Sequence, residues 1–386
     1  MHTMKKTVIA IIFLAVCITA YSQDKPQIPN GDFETWTYDG ANLPNNWNSF
    51  QTADGGWAGT AYKKSNRQVA RSTDTRPGSS GRYSCRIWSR EINAVVVKAL
   101  AQGNLTTGRV HAGATKATSP DNYNYSDRGA STSNNNVDNP CAMEFKGKPD
   151  SLVAWIKFSP KKSSSKAMLN AFIHDNCDFI KGYAKQTEAS HIVASVEYEV
   201  GDTKGAWKRI SLPFKYGTSN NPQYILINIA TNTVPGEGSE DDELYVDDIE
   251  MIYNSRFELS MPSCKWASLY LDFNAEVPSG ATAWYATKME SGYVTLEEVP
   301  AGKSIPANTA VLISSSKSSL TFVQSSASPA TISGNILSGT ASNISKDSGY
   351  DYYVLSGDAT TSTTPSFAKY NGSSLAKNKA FIKVKK

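Results

Sequence analysis

The chain reads as an all-β protein: a jelly-roll-like β-sandwich followed by a smaller β domain. Three observations predict this. Apolar residues alternate along short runs and do not recur at three and four positions. Each run ends in Gly, Pro, Asn or Ser. The runs follow one another at spacings of roughly ten to twenty residues with no helical pattern between them, which favours an antiparallel sandwich over a parallel α/β sheet.

Residues 1–22 stand apart from that fold. Lys5 and Lys6, the apolar run VIAIIFLAV and the tripeptide Ala20-Tyr21-Ser22 read as a secretory signal peptide. The apolar run is shorter than the roughly 20 residues a membrane span needs, so no transmembrane segment is expected in the mature chain. Cys17, behind Leu14-Ala15-Val16, offers the alternative of lipid anchoring. Val16 is a poor residue before such a cysteine, and cleavage after Ser22 is preferred. The expectation is an exported protein of the periplasm, the cell surface or the medium.

At 386 residues the chain has room for two domains after the leader, assigned to 23–254 and 255–386. The formal charge of +4 falls to +2 once Lys5 and Lys6 leave, and no basic stripe carries interleaved aromatics, so nucleic acid is not an expected partner. Cys85, Cys141, Cys177 and Cys264 remain. Their spacing matches no zinc pattern, and both disulfides and free thiols stay open.

In the first domain the strand candidates are 151–158, 167–174, 191–200, 207–216, 223–230 and 243–253. Residues 113–140 hold almost nothing apolar and read as a long exposed loop. A boundary falls near 254–263, and the second half, richer in Ser, Thr and Ala, again supplies only strand candidates, among them TAWYATKM, TAVLISS, YYVLSG and KAFIKV.

Alternation assigns faces. Leu152, Ala154, Ile156 and Phe158 form one core set; Leu169, Ala171 and Ile173, then Ile210 and Leu212, then Ile225, Ile227 and Ile229 form the others. The opposite faces carry Val153, Trp155 and Lys157; Asn170, Phe172 and His174; Trp207, Arg209 and Ser211; and Tyr224 and Asn228. If the strands are neighbours in one sheet, Trp155, Lys157, Phe172, His174, Arg209 and Asn228 make a concave surface able to stack on a sugar ring and hydrogen-bond its hydroxyls. The alternative is that Trp155 and Phe172 pack under the 113–140 loop as core. Trp57, flanked by glycines in ADGGWAGT, is the best loop aromatic for the same ligand, and Tyr123 and Tyr125 in DNYNYSD could reach over a site. Trp36 and Trp47 are expected to be core anchors.

The opening IPNGDFETW (28–36) and LPNNWNSF (43–50), with the closing LYVDDIEMIY (244–253), resemble the paired ends of jelly-roll carbohydrate modules. Together with GNLTTGRV (103–110) and the strand WKRISLPFKY, they resemble the putative carbohydrate metabolism domain (PCMD) family of exported bacterial proteins over about residues 26–254. The resemblance implies a jelly roll whose opening turn lies beside the closing strand. It also implies a structural calcium held by Glu34 with Asp247 or Asp248, since calcium takes six to eight oxygen ligands of the kind turns supply. The alternative for these carboxylates is a turn cap and a solvated strand end. The family supplies no catalytic residues. The segments SIPANTAVLIS and NKAFIKV resemble a small β module recurrent at the C-termini of secreted bacterial proteins.

The expected function is therefore non-catalytic binding of a polysaccharide or other glycan, in glycan capture or surface attachment. Two alternatives stand beside it. One is an adhesion or scaffold protein with a surface-protein partner. The other is a glycoside hydrolase with two carboxylates, for which Asp175 and Asp178 in HDNCD, beside His174, form the densest polar cluster. The run Glu240-Asp241-Asp242-Glu243 reads as a solvated loop, and no G-x-S-x-G elbow appears.

Overall fold

The computed structural model describes residues 25–38, 42–56, 67–94, 97–129, 141–290, 293–356 and 366–386. Trp57, the leader with Cys17, and residues 130–140 lie outside them. The architecture is all-β, and the chain divides into two compact units between Tyr253 and Asn254. No helix among the described residues is long and apolar enough to cross a membrane.

The N-terminal unit is a sandwich of two antiparallel sheets. The first runs Met143–Glu144, Tyr224–Ala230, Ala167–His174, Ile192–Val200, Lys215–Tyr216, with Asn104–Thr106 also paired to Tyr224–Ala230. The second runs Lys208–Pro213, Ser151–Ser159, Glu243–Ile252, Ser84–Trp88, Val69–Ser72. Period-two alternation gives each strand one apolar face, and those faces meet. Leu152, Ala154, Ile156 and Phe158 from the second sheet share one core with Leu169, Ala171, Ile173, Ile225, Ile227 and Ile229 from the first, and Ile210 packs against it.

The two ends of the unit clasp each other. Gln27 exchanges two 2.8 Å hydrogen bonds with the backbone of Met251, the Ile249 N–H donates to the Gly31 carbonyl at 2.8 Å, and the Tyr253 hydroxyl donates to the Pro26 carbonyl. A Cβ at Gly31 would sit 2.4 Å from the Ile249 carbonyl oxygen, so only glycine permits this approach. Trp47 is buried against Phe33, ring centroids 5.3 Å apart, and Trp36 packs at the edge of the same core.

A third, three-stranded sheet of Phe179–Gly182, Asn122–Ser126 and Arg109–Ala112 covers part of the first sheet's outer face. This corrects the reading of 113–140 as an exposed loop: Asn124, Tyr125 and Ser126 are buried in a strand. The acidic run is also not simply solvated. Asp242 is fully buried, accepting from the Lys161 and Ser239 N–H groups, and Glu243 pairs with Arg86.

The C-terminal unit holds an eight-stranded antiparallel sheet in the order Trp266–Leu271, Thr309–Ser315, Ala281–Glu290, Tyr293–Glu298, Ser366–Lys369, Tyr350–Ser356, Lys379–Lys385, Leu337–Thr340. It curls until its ends nearly close into a barrel. Tyr270 on the first strand exchanges hydrogen bonds with Asn378 beside the seventh, and Gly339 on the last lies so close to the Tyr270 ring that a Cβ there would be 2.2 Å from it.

Candidate glycan-binding cleft

The first sheet's outer face carries a polar row across four strands. Register places Thr106 opposite Asn228, Asn228 opposite Asn170, and Asn170 opposite Glu197. The intervening residues Ala171, Ile227 and Ile229 fill the core, and on the strand Tyr224–Ala230 Asn228 interrupts a run of Ile225, Leu226, Ile227 and Ile229. Burying polar groups there is costly unless they are bonded. Thr106 Oγ1 donates to Asn228 Oδ1 at 2.8 Å, and Asn170 Oδ1 accepts from the Tyr198 N–H at 3.3 Å.

The covering sheet stops short of this row. It is anchored where Phe179 meets Phe172 at 5.6 Å and His174 at 4.9 Å, with Leu226 completing the apolar patch. Gly108, next to the covering strand Arg109–Ala112, lets it approach: a Cβ there would lie 2.6 Å from Leu226 Cδ1 of the first sheet. Past Phe179 the two layers part around a cleft of about 440 Å³, floored by Asn104, Asn170 and Asn228 and walled by Asn122, Tyr123, Asn124, Lys181, Glu197 and Glu199. Tyr183, 58% exposed, lines it as an open aromatic ring, whereas Tyr198, opposite Leu169 and alternating with Val196 and Val200, turns its side chain to the strand's other face. Lys181 Nζ sits 3.1 Å from Glu197 Oε2.

His111, also on the wall, stacks on Tyr123 at 4.7 Å and places Nδ1 2.6 Å from Asp54 Oδ1, while the Tyr125 hydroxyl donates to the same carboxylate. The bond to Asp54 raises the His111 pKa above 6.5. Burial alone would push Asp54 up, but the bonds from His111 and Tyr125 outweigh it and hold it below 3.8. The stability this pair adds is therefore complete below pH 6.5, down to where Asp54 protonates, and is lost as pH rises through the raised His111 pKa. An NMR titration should show the His111 ring changing charge above pH 6.5, and in Asp54→Asn that midpoint should fall.

Of the described residues expected to form the ligand surface, Asn228 alone lines this cleft, and Tyr123, expected to reach over a site, stands on its wall. The single concave surface is corrected by the topology. Trp155, Lys157 and Arg209 belong to the second sheet, whereas Phe172, His174 and Asn228 belong to the first, so the two groups lie on opposite outer faces of the sandwich. Phe172 and His174 are 1% and 0% exposed beneath the covering sheet. Burial pulls the His174 pKa down to about 4, leaving a neutral ring at physiological pH. Trp155 is half-buried with the Arg76 guanidinium 5.2 Å from its ring, Arg209 is exposed, and Lys157 is buried in an ion pair with Asp74. Asp74 also accepts from Trp207 Nε1 at 3.0 Å. These groups satisfy one another.

The carboxylates assigned to calcium separate. A register shift between Val153 and Trp155 inserts an extra residue in the closing strand, and Asp248 there adopts a left-handed φ of 45°, a conformation aspartate tolerates. The bulge points the two neighbours differently. Asp248 pairs with Arg76. Asp247 is 1% exposed, its Oδ2 has no hydrogen-bond partner, and burial with the neighbouring Asp248 charge raises its pKa to about 7. Glu34 Oε1 accepts from the N–H groups of Arg82 and Tyr83 at 2.8 Å. The orphaned oxygen of Asp247 fits a cation.

HDNCD lies at the far end of the first sheet from the cleft floor, and its acids are engaged. Asp178 holds Arg128 at 2.9 Å, and Asp175 holds His191 and Asn220. With Cys177, Asp175 and His191 form a group of side chains able to hold a metal ion. None of Cys85, Cys141, Cys177 and Cys264 is paired in a disulfide.

No family model and no curated relative matches the chain. Among solved structures it is similar to a "putative glycoside hydrolase" from Bacteroides thetaiotaomicron (15% identity, 54% of this chain and 63% of that one, TM-score 0.37). It is also similar to a "putative glycoside hydrolase" from Bacteroides vulgatus (14%, 59% and 95%, 0.35). A third similarity is to the K1 cleaved adhesin domain of Lys-gingipain from Porphyromonas gingivalis (9%, 60% and 99%, 0.30). The chain thus spans less than two thirds of the first of these.

Proposed function

We propose that the protein is exported and that its N-terminal unit is a non-catalytic carbohydrate-binding domain, acting in glycan capture or surface attachment through the cleft on the first sheet. The polar row Thr106–Asn228–Asn170–Glu197 beside the open ring of Tyr183 carries this reading. Amides offer both donors and acceptors to sugar hydroxyls, aromatic rings take the apolar ring face, and the volume falls within the roughly 300–1,000 Å³ of small-ligand sites. Asp247 and Glu34, which both accept from the 76–83 segment, would hold a structural calcium.

A glycan array with the full chain tests it. Tyr183→Ala should weaken binding about two- to tenfold, since a stacking ring contributes about 0.5–1.5 kcal/mol. The exposed Tyr293→Ala in the C-terminal unit should change nothing. Binding unaffected by Tyr183→Ala would place the site elsewhere, and no binding by folded protein would turn attention to a protein partner.

One observation favours hydrolysis as the second reading: Glu197 and Glu199 stand two apart on one strand and both line the cleft. Glu197, however, is held by Lys181. Release of reducing ends from an array hit, abolished by Glu199→Gln, would establish the enzyme.

A further inference from the structure

We propose that Asp175, Cys177 and His191 form a zinc-class metal site that closes the base of the hairpin carrying one wall of the cleft. Each offers one ligand atom, and the three atoms lie within 4.8 Å of one another. His191 Nδ1 is 3.0 and 3.2 Å from the two Asp175 oxygens. Tetrahedral zinc with bonds of about 2.0–2.3 Å sets its ligand atoms roughly 3.3–3.8 Å apart, so small side-chain movements admit the ion.

The donor chemistry selects the metal. One thiolate, one imidazole and one carboxylate suit zinc and its transition-metal neighbours, and exclude calcium and magnesium, which take oxygen ligands. His174 Nδ1, 3.9 Å from Cys177 Sγ, is held 3.0 Å from the Asp175 carbonyl oxygen, which leaves the fourth corner to water. A second shell is already present: Asn220 Nδ2 donates to Asp175 Oδ2 at 2.8 Å and to the Ser190 carbonyl at 3.0 Å. Such partners orient ligands in metal sites. Binding converts the Cys177 thiol to a zinc thiolate and releases its proton to solvent.

The position gives the site a purpose. Asp175 and Cys177 follow the strand Ala167–His174, and His191 ends the short turn Ala189–His191 that precedes Ile192–Val200. Between them run Phe179–Gly182, which anchors the covering sheet, and Lys181 and Tyr183 of the cleft wall. A metal there staples the hairpin at its base. This consequence for the cleft rests on the proposed function; the metal site does not.

Chelator-treated full chain should retain one zinc on equilibrium dialysis against zinc sulfate, with no glycan present. The cobalt form should show a thiolate-to-metal charge-transfer band. Cys177→Ala and His191→Ala should each weaken zinc at least tenfold and Cys177→Ala should abolish the band, whereas Cys264→Ala and Tyr183→Ala should leave both unchanged. Zinc uptake equal in Cys177→Ala and the parent, or a cobalt form lacking the band, overturns the site. Either result leaves the glycan-array outcome untouched.

Discussion

Ile227→Asp is expected to abolish cooperative folding of the N-terminal unit. Ile227 is fully buried at the centre of the first sheet, opposite Ala171, with its N–H bonded to Thr107 Oγ1 at 2.8 Å and its carbonyl accepting from the Thr107 N–H. Its side chain faces the apolar core shared by both sheets. An unpaired buried charge costs several kcal/mol, and the isoleucine packing is lost as well, against a total stability of about 5–15 kcal/mol. Ile227→Val should cost only about 0.5–1.5 kcal/mol. Urea titration followed by tryptophan fluorescence separates the two. An aspartate variant with a normal midpoint would show that the face assignment is wrong.

The second large effect belongs to Asp247. Its folded pKa near 7, against 3.8 for the free side chain, means that the native state holds the proton more tightly than the unfolded chain does. Stability therefore falls as pH rises between those values, and above pH 7 the buried charge costs up to about 4 kcal/mol in calcium-free protein. Asp247→Asn should remove most of that slope and raise the thermal midpoint at pH 8. Added calcium should stabilise the parent at pH 8 and leave Asp247→Asn unmoved. A parent midpoint that does not change between pH 4.5 and 8 would remove both the buried charge and the argument for a cation beside it.

The strands and their core faces were legible because alternation is local: each of 151–159, 167–174 and 224–230 displays its own inward set without reference to any other segment. Sheet membership is not local. Nothing in the spacing of Trp155 and Phe172 tells that their strands belong to different sheets, so a surface assembled from both dissolved on folding. The strand Asn122–Ser126 escaped notice for a related reason. Its alternating Asn and Tyr are polar enough to suit a loop, and only the apolar patch around Phe179 and the Asp54 carboxylate make it a strand. One signal for the cleft was present. Asn170 and Asn228 are amides inside runs of apolar residues, where a polar side chain persists only if bonded or used. Lys181, Tyr183 and the pairing of Cys177 with His191 carried no comparable local mark, because their proximity depends on how the 175–191 hairpin closes.

The clasp between the opening turn and the closing strand also sets how the N-terminal unit responds to tension. Pro26 lies beside Tyr253, Gln27 beside Met251 and Gly31 beside Ile249, so both chain ends leave from the same corner. A pull applied through those ends peels the contacts one after another, in the manner of a zip, and does not shear them together. The unit should yield at low force while its sandwich core, loaded only afterwards, stays intact.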